Sequence, residues 1–177
     1  YPGDWDILAL VAMKNSGRAG KDVHVTRQWP GRSRTNVLTL KIAVRLACLQ
    51  QSFRKALQTA ATLGAEAVEI DARTEVRPAE MTQSAIRHLR KTIADFNLRV
   101  AAVSFQTRHG YHVLENLDRR IEATRQAMQF AFQLGAPVVL NQVGQIPAET
   151  DDPQWEVLVQ ALTDLGRYGQ HVGAFLA

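Results

Sequence analysis

The sequence predicts an α/β fold of parallel strands, about the first four to five βα units of a (β/α)8 barrel, and three observations carry that prediction. From Lys41 onward short apolar runs alternate with amphipathic helical stretches, strand starts following one another at intervals of 25 to 37 residues. A helix-to-strand joint occurs twice: Ala56, Gln58, Ala60, Leu63, Gly64, Ala65 and Val68 match Ala127, Gln129, Ala131, Leu134, Gly135, Ala136 and Val139 at a shift of 71 residues, the length of two βα units. The turn after the first strand, Ala47-Cys48-Leu49-Gln50-Gln51-Ser52, lacks the glycines that an open dinucleotide-binding sheet needs there, and no Walker-type phosphate loop is present. The twinned joint has two explanations. It is either a repeat of alternate barrel units or the common chemistry of helix-to-strand joints wherever they occur.

Each element follows from its own residues. Ile42 to Leu46 is a β-type run, and the helix after it carries Phe53, Ala56, Leu57, Ala60 and Leu63 on one face, with Gly64 as its left-handed stop. Ala67 to Asp71 is the second strand. Thr82 caps a helix with the stripe Ala85, Ile86, Leu89, Ile93 and Phe96, and Asn97 ends it. Val100 to Phe105 is the third strand. The next helix, with Ile121, Thr124, Met128, Ala131, Phe132 and Leu134, stops at Gly135, and Pro137 to Gln142 is the fourth strand. Asp151-Asp152-Pro153 starts a helix with an acidic cap and a proline in its first turn, ahead of Trp155, Leu158, Val159, Leu162 and Leu165. Val172 to Ala177 begins a fifth strand.

Composition bounds the function classes. The 177 residues are 46% hydrophobic, which suffices for a core. The apolar run Ile7 to Met13 is too short to span a bilayer and follows Asp4 and Asp6 rather than a basic segment, so neither a membrane nor an export signal is expected. Cys48 is the one cysteine, which points to a reducing, cytoplasmic compartment. The net charge of +4 is concentrated: residues 1–40 hold six Lys/Arg against three Asp, leaving 15 basic and 14 acidic residues for the remainder, too even a balance to predict a nucleic-acid groove. Residues 1–40 show no sustained period and are expected to be an irregular N-terminal extension or a basic interaction arm; residues 41–177 are the barrel portion.

The stretches KIAVRLACL, FRKALQTAATLGAEAVEID, LRVAAVSF and MQFAFQLGAPVVL, above all the joints at 63–70 and 134–139, resemble the sugar phosphate isomerase/epimerase family, the xylose isomerase-like TIM barrels. The resemblance implies a partial (β/α)8 TIM barrel, its N-terminal half. It also implies metal-dependent aldose-ketose isomerisation or epimerisation of a sugar or sugar phosphate in the full barrel, with a divalent metal (Mn, Mg, Co or Zn) held by glutamate, aspartate and histidine at the ends of strands 5 to 8. The first such glutamate would lie beyond Ala177, so the chain is expected to be an incomplete fragment without the principal metal ligands and without activity alone. Two other functions compete with it. One is a non-catalytic half barrel that associates with itself through exposed sheet edges; the other is an abasic-site endonuclease-like barrel, which the absence of histidine in Ile70-Asp71-Ala72-Arg73 disfavours.

In a barrel, chemistry collects at the C-terminal ends of the strands. Substrate-binding candidates are therefore Glu69 and Asp71 after strand 2, Arg108 and His109 after strand 3, and Asn141 and Gln142 after strand 4. Asp71 has the structural alternative of capping its loop. His109 and His112 form a weak H-x-x-H metal pair, and no metal ligand or catalytic residue is assigned. His88 belongs to a solvated basic helix face, Glu66 and His171 lie at the stability face, Trp155 packs against the barrel, and Cys48 ends strand 1 without a basic partner.

Overall fold

The computed structural model describes residues 41–177. The extension expected at 1–40 lies outside the described residues. Five strands, β1 (Ala43–Arg45), β2 (Ala67–Asp71), β3 (Arg99–Ser104), β4 (Val138–Leu140) and β5 (Phe175–Leu176), alternate with four helices, α1 (Phe53–Thr62), α2 (Gln83–Asp95), α3 (Leu117–Leu134) and α4 (Pro153–Val172). All neighbouring pairs are parallel, and the spatial order is β1-β2-β3-β4-β5. A doubly wound sheet reverses its strand order once. An unbroken sequential order is that of a barrel wall, with right-handed crossovers setting every helix on the same face.

On that helix-covered face Val68, Ile70, Val103 and Val139 are fully buried, beneath Leu57 and Ala60 of α1, Ile93 of α2, Met128 and Phe130 of α3 and Leu165 of α4. Strand period 2 then turns Ala67, Glu69 and Asp71 to the opposite face, the barrel interior. The pairing of β2 with β3 slips between Val68 and Glu69, so that Val68 faces Val100 but Glu69 faces Ala102. This leaves Ala101 as an extra residue. The slip sends Val103 to the core beside Ile70 and brings Ser104 opposite Asp71, whereas unbroken alternation from Val100 would put Ser104 on the helix side.

Several boundaries differ from those read in the sequence. β1 ends at Arg45, and Leu46–Leu49 form a 3-10 turn, so Cys48 lies in that turn, exposed, and not at a strand end. Val172 belongs to α4, and only Phe175–Leu176 are strand. Three apolar residues assigned to core stripes are exposed: Leu63 at 65%, Phe132 at 54% and Val159 at 46%. Leu63 lies one residue past the end of α1, where no helical turn remains to hold it against the sheet, while its counterpart Leu134 is inside α3 and buried. Phe132 follows Phe130 by two helical positions, about 200° around the axis, and Phe130 takes the core-facing place.

Candidate functional site

The open ends of β1 to β4 converge on a pocket of about 170 Å³ lined by Arg45, Glu69, Ser104, Gln106, Leu140, Asn141 and Gln142. The parallel register explains the grouping: Arg45 pairs with Glu69, Asp71 with Ser104, and Ser104 with Leu140. Arg45 bridges two acids, its Nε 3.2 Å from Glu69 Oε1 and a terminal nitrogen 3.5 Å from Asp71 Oδ2. All three are only partly exposed, so the guanidinium is held between the two side chains and fixes their positions relative to each other.

Asp71 is occupied on its other side. Its Oδ1 accepts from the amides of Arg73 and Thr74 at 2.8 and 3.0 Å, the loop-capping arrangement weighed for it in the sequence. Glu75 Oε2 in turn accepts from the Asp71 amide at 2.8 Å. Burial pushes the Glu75 carboxyl above its ordinary value; the hydrogen bond from Asp71 and the charge of Arg45 act against that, and the charges of Asp71 and Glu69 act with it.

Asn141 is oriented by a buried relay. Thr124 Oγ1 donates to the Arg120 carbonyl at 2.8 Å, which commits its single hydrogen. The fully buried Tyr111 hydroxyl, 2.7 Å from Thr124 Oγ1, therefore donates to Thr124, and it accepts from Asn141 Nδ2 at 2.9 Å. Burial raises the Tyr111 pKa, which keeps the phenol protonated for that donation. With Nδ2 committed, the amide oxygen of Asn141 is buried without a partner, and so is the hydroxyl of Ser104, a residue 3% exposed. The pocket thus holds two buried oxygens without protein partners, each of which costs about 1 to 3 kcal/mol until it is satisfied.

Of the residues singled out in the sequence, the structure brings Glu69, Asn141 and Gln142 to this pocket, with Asp71 adjoining through Arg45. Arg108 and His109 line a different space, between the β2–α2 and β3–α3 loops. His112 is not among the residues lining that space; its ring lies against Gly110 and Gly144, and among the described residues no group of three or more His, Cys, Asp or Glu is placed to hold a metal ion. His88 is on an exposed face of α2, as expected. Sequence reasoning missed Arg45, Ser104, Gln106 and Tyr111. Arg45 stood inside a strand read as running to Leu46, and Ser104 stood inside a strand read as running to Phe105, where the bulge at Ala101 decides which face it takes.

A family model described as "Xylose isomerase-like TIM barrel" matches residues 57–177. Among solved structures, a xylose isomerase domain protein from Planctomyces limnophilus is similar at a TM-score of 0.64 and 18% identity, over 76% of this chain and 52% of that one. A xylose isomerase-like TIM barrel protein from Mycobacterium smegmatis, solved in complex with magnesium, gives 0.60 and 18% over 78% and 54%. A D-psicose 3-epimerase from Clostridium cellulolyticum H10, solved with D-tagatose, gives 0.62 and 12% over 77% and 51%. The chain thus spans about half the length of the structures it matches. No match is found among curated proteins. At these identities the likeness establishes the fold, a partial TIM barrel.

Proposed function

This chain belongs to the xylose isomerase-like TIM barrel family, and from that membership we propose that it supplies the N-terminal half of a sugar isomerase or epimerase, with the pocket of Arg45, Glu69, Ser104 and Asn141 holding the hydroxyl-bearing part of the sugar. The observation that carries this reading is the pair of orphaned buried oxygens, Ser104 Oγ and Asn141 Oδ1, at the C-terminal ends of adjacent strands. A sugar hydroxyl donates to the fixed Asn141 oxygen, Ser104 donates or accepts, Glu69 accepts, and Arg45 holds Glu69 in place. These groups bind and orient. A divalent ion is implied by the magnesium complex of one structural neighbour, but the described residues do not fit one: the carboxylates of Asp71 and Glu75 are committed to backbone amides, and Glu69 to Arg45. We assign any such ion, and the proton transfer it would assist, to strand ends other than β1 to β4. A cytoplasmic setting belongs to this reading and is supported by Cys48, the chain's one cysteine, standing exposed.

Calorimetric titration with D-tagatose and D-fructose, sugars named with two of the neighbours, tests it. Ser104→Ala and Glu69→Gln should each weaken sugar binding about tenfold, the worth of one hydrogen bond to a charged or buried group. Binding unchanged in both variants would place the sugar elsewhere.

A second reading concerns the interior face. Leu140 and Phe175 are exposed on it at 37% and 57%, and among the described residues β1 and β5 each have a neighbour on one side only. Such edges and apolar side chains favour self-association, two half barrels completing one another. Sedimentation of the chain at micromolar concentration should give a dimer or larger species; a monomer that binds no hydrophobic dye defeats this reading.

A further inference from the structure

We propose that the space between the β2–α2 and β3–α3 loops is an anion site, and that it takes the phosphate of a phosphorylated sugar whose hydroxyls lie in the neighbouring Arg45–Glu69 pocket. The space has a volume of about 430 Å³, and its lining sets four guanidinium groups, those of Arg73, Arg108, Arg119 and Arg120, against a single carboxylate, Glu115. None of the four is in an ion pair among the described residues, whose ion pairs involve Arg45, Arg77 and Arg99. Two of them are held by carbonyls instead. Arg73 donates to the Gln106 carbonyl at 2.7 Å, and Arg120 donates to the carbonyls of Val113 and Glu115. A carbonyl fixes a guanidinium without cancelling its charge, so the pocket keeps a rigid positive wall and Arg108 and Arg119 complete it as free forks.

The same wall includes the start of α3, where the amide of Leu117 bonds to the Leu114 carbonyl and Asp118 stands in the first turn, so the positive potential rests on the guanidinium groups and not on the helix end. Four positive groups and one negative match a dianion better than a monoanion, which selects a phosphate monoester over a carboxylate. Gln106 joins the two spaces. It lines the Arg45–Glu69 pocket while its carbonyl anchors Arg73 of the anion site, so one residue borders both. The identity of the ligand's body rests on the sugar-handling function proposed above; the anion site rests on its own charges.

Calorimetry on the full chain, at constant ionic strength, compares inorganic phosphate with acetate and D-fructose 6-phosphate with D-fructose. Phosphate should bind more tightly than acetate, and fructose 6-phosphate more tightly than fructose. Arg108→Ala should weaken phosphate about tenfold and the double variant R108A/R119A about a hundredfold, and since both residues are exposed the fold should be retained by circular dichroism. Equal phosphate binding in the parent and R108A/R119A overturns the site, and acetate binding as tightly as phosphate overturns its assignment to a phosphate monoester. Fructose bound without any phosphate response overturns the anion site and leaves the sugar pocket standing. Phosphate bound, lost in R108A/R119A, with no affinity for fructose leaves the anion site standing and removes the sugar reading.

Discussion

The two ends of the sheet are built by different rules. At the N-terminal ends of the strands, each helix hands over to the next strand through two to four residues, and the handover is nearly the same every time. After α1 the amide of Gly64 bonds to Ala61 and that of Ala65 to Ala60; after α2 Asn97 bonds to Ala94 and Leu98 to Ile93; after α3 Gly135 bonds to Phe132 and Ala136 to Ala131. After α4 Gly173 and Ala174 both bond to Gly169. A left-handed residue followed by a small or apolar one closes all four, so the likeness between units 71 residues apart is a property of joints and is shared by joints whose sequences do not match. At the C-terminal ends the connections run from seven to twelve residues, and no two are closed alike. One is built on the 3-10 turn Leu46–Leu49, one is capped by Asp71 ahead of a second 3-10 turn at Pro78–Glu80, one is hung on the Tyr111 relay, and one is pressed against its neighbour at Gly144. Repetition marks the end that only has to fold, and individuality marks the end that holds the pockets.

The largest expected effect comes from the individual end. Gly144 has a φ of +90°, and a Cβ there would come to 2.4 Å from the Gly110 Cα, backbone that cannot swing aside. Gly144→Ala should therefore separate the β3–α3 and β4–α4 loops and lower stability by about 3 kcal/mol in urea denaturation, with loss of sugar binding. A variant as stable as the parent would mean that the loops move freely, and the contrast between the two ends would then be one of length alone.

Tyr111→Phe comes next. Removing the hydroxyl strands Thr124 Oγ1 and Asn141 Nδ2 inside the protein and costs about 2 kcal/mol. It also frees the Asn141 amide to turn, so sugar affinity should fall although Tyr111, fully buried, touches no ligand. Equal affinity in parent and variant would show that the relay only stabilises.

The joints give the matching test. Apart from the adjoining residues, nothing lies within 4 Å of where a Cβ would stand at Gly64 or Gly135, whose φ values are +78° and +77°. The cost of alanine is therefore the backbone conformation alone, about 1 kcal/mol at either position. Unequal costs would break the equivalence of the joints.

What was legible in the sequence follows the same division. The joints were readable because their chemistry is local: an apolar stripe, then Gly or Asn, then a short β run. The second strand was placed at Ala67 to Asp71 and the caps at Thr82 and Asp152 because those residues act on amides two or three positions away. Glu69, Asn141 and Gln142 were readable as strand-end polar residues. Ser104 was hidden by one extra residue at Ala101, since a bulge leaves no mark in a Val-Ala-Ala-Val run and yet reverses every later side chain. The Tyr111–Thr124–Asn141 relay was hidden because it joins positions 13 and 30 residues apart through the path of a loop, and no spacing rule specifies that path. For the same reason Arg108 and His109 were read as neighbours of Glu69 although they line a separate space.

The smallest expected effect tests whether the individual end is also electrostatically particular. Glu75 is raised above the ordinary glutamate value of 4.5 chiefly by burial, with Asp71 and Glu69 adding repulsion. Below that value the carboxyl is protonated in both folded and unfolded chains and costs nothing. As pH rises through it the unfolded chain ionises first, so stability falls across the window between 4.5 and the raised folded value, and the penalty is constant above it. Glu75→Gln keeps an oxygen for the Asp71 amide and cannot ionise. Its urea midpoint should match that of the parent at about pH 4 and exceed it at about pH 7, by an amount that shrinks only slightly in salt because the group is partly buried. The same gap at both pH values would mean that glutamine alters the packing of the loop and that the carboxylates around Arg45 impose no charge cost on the fold.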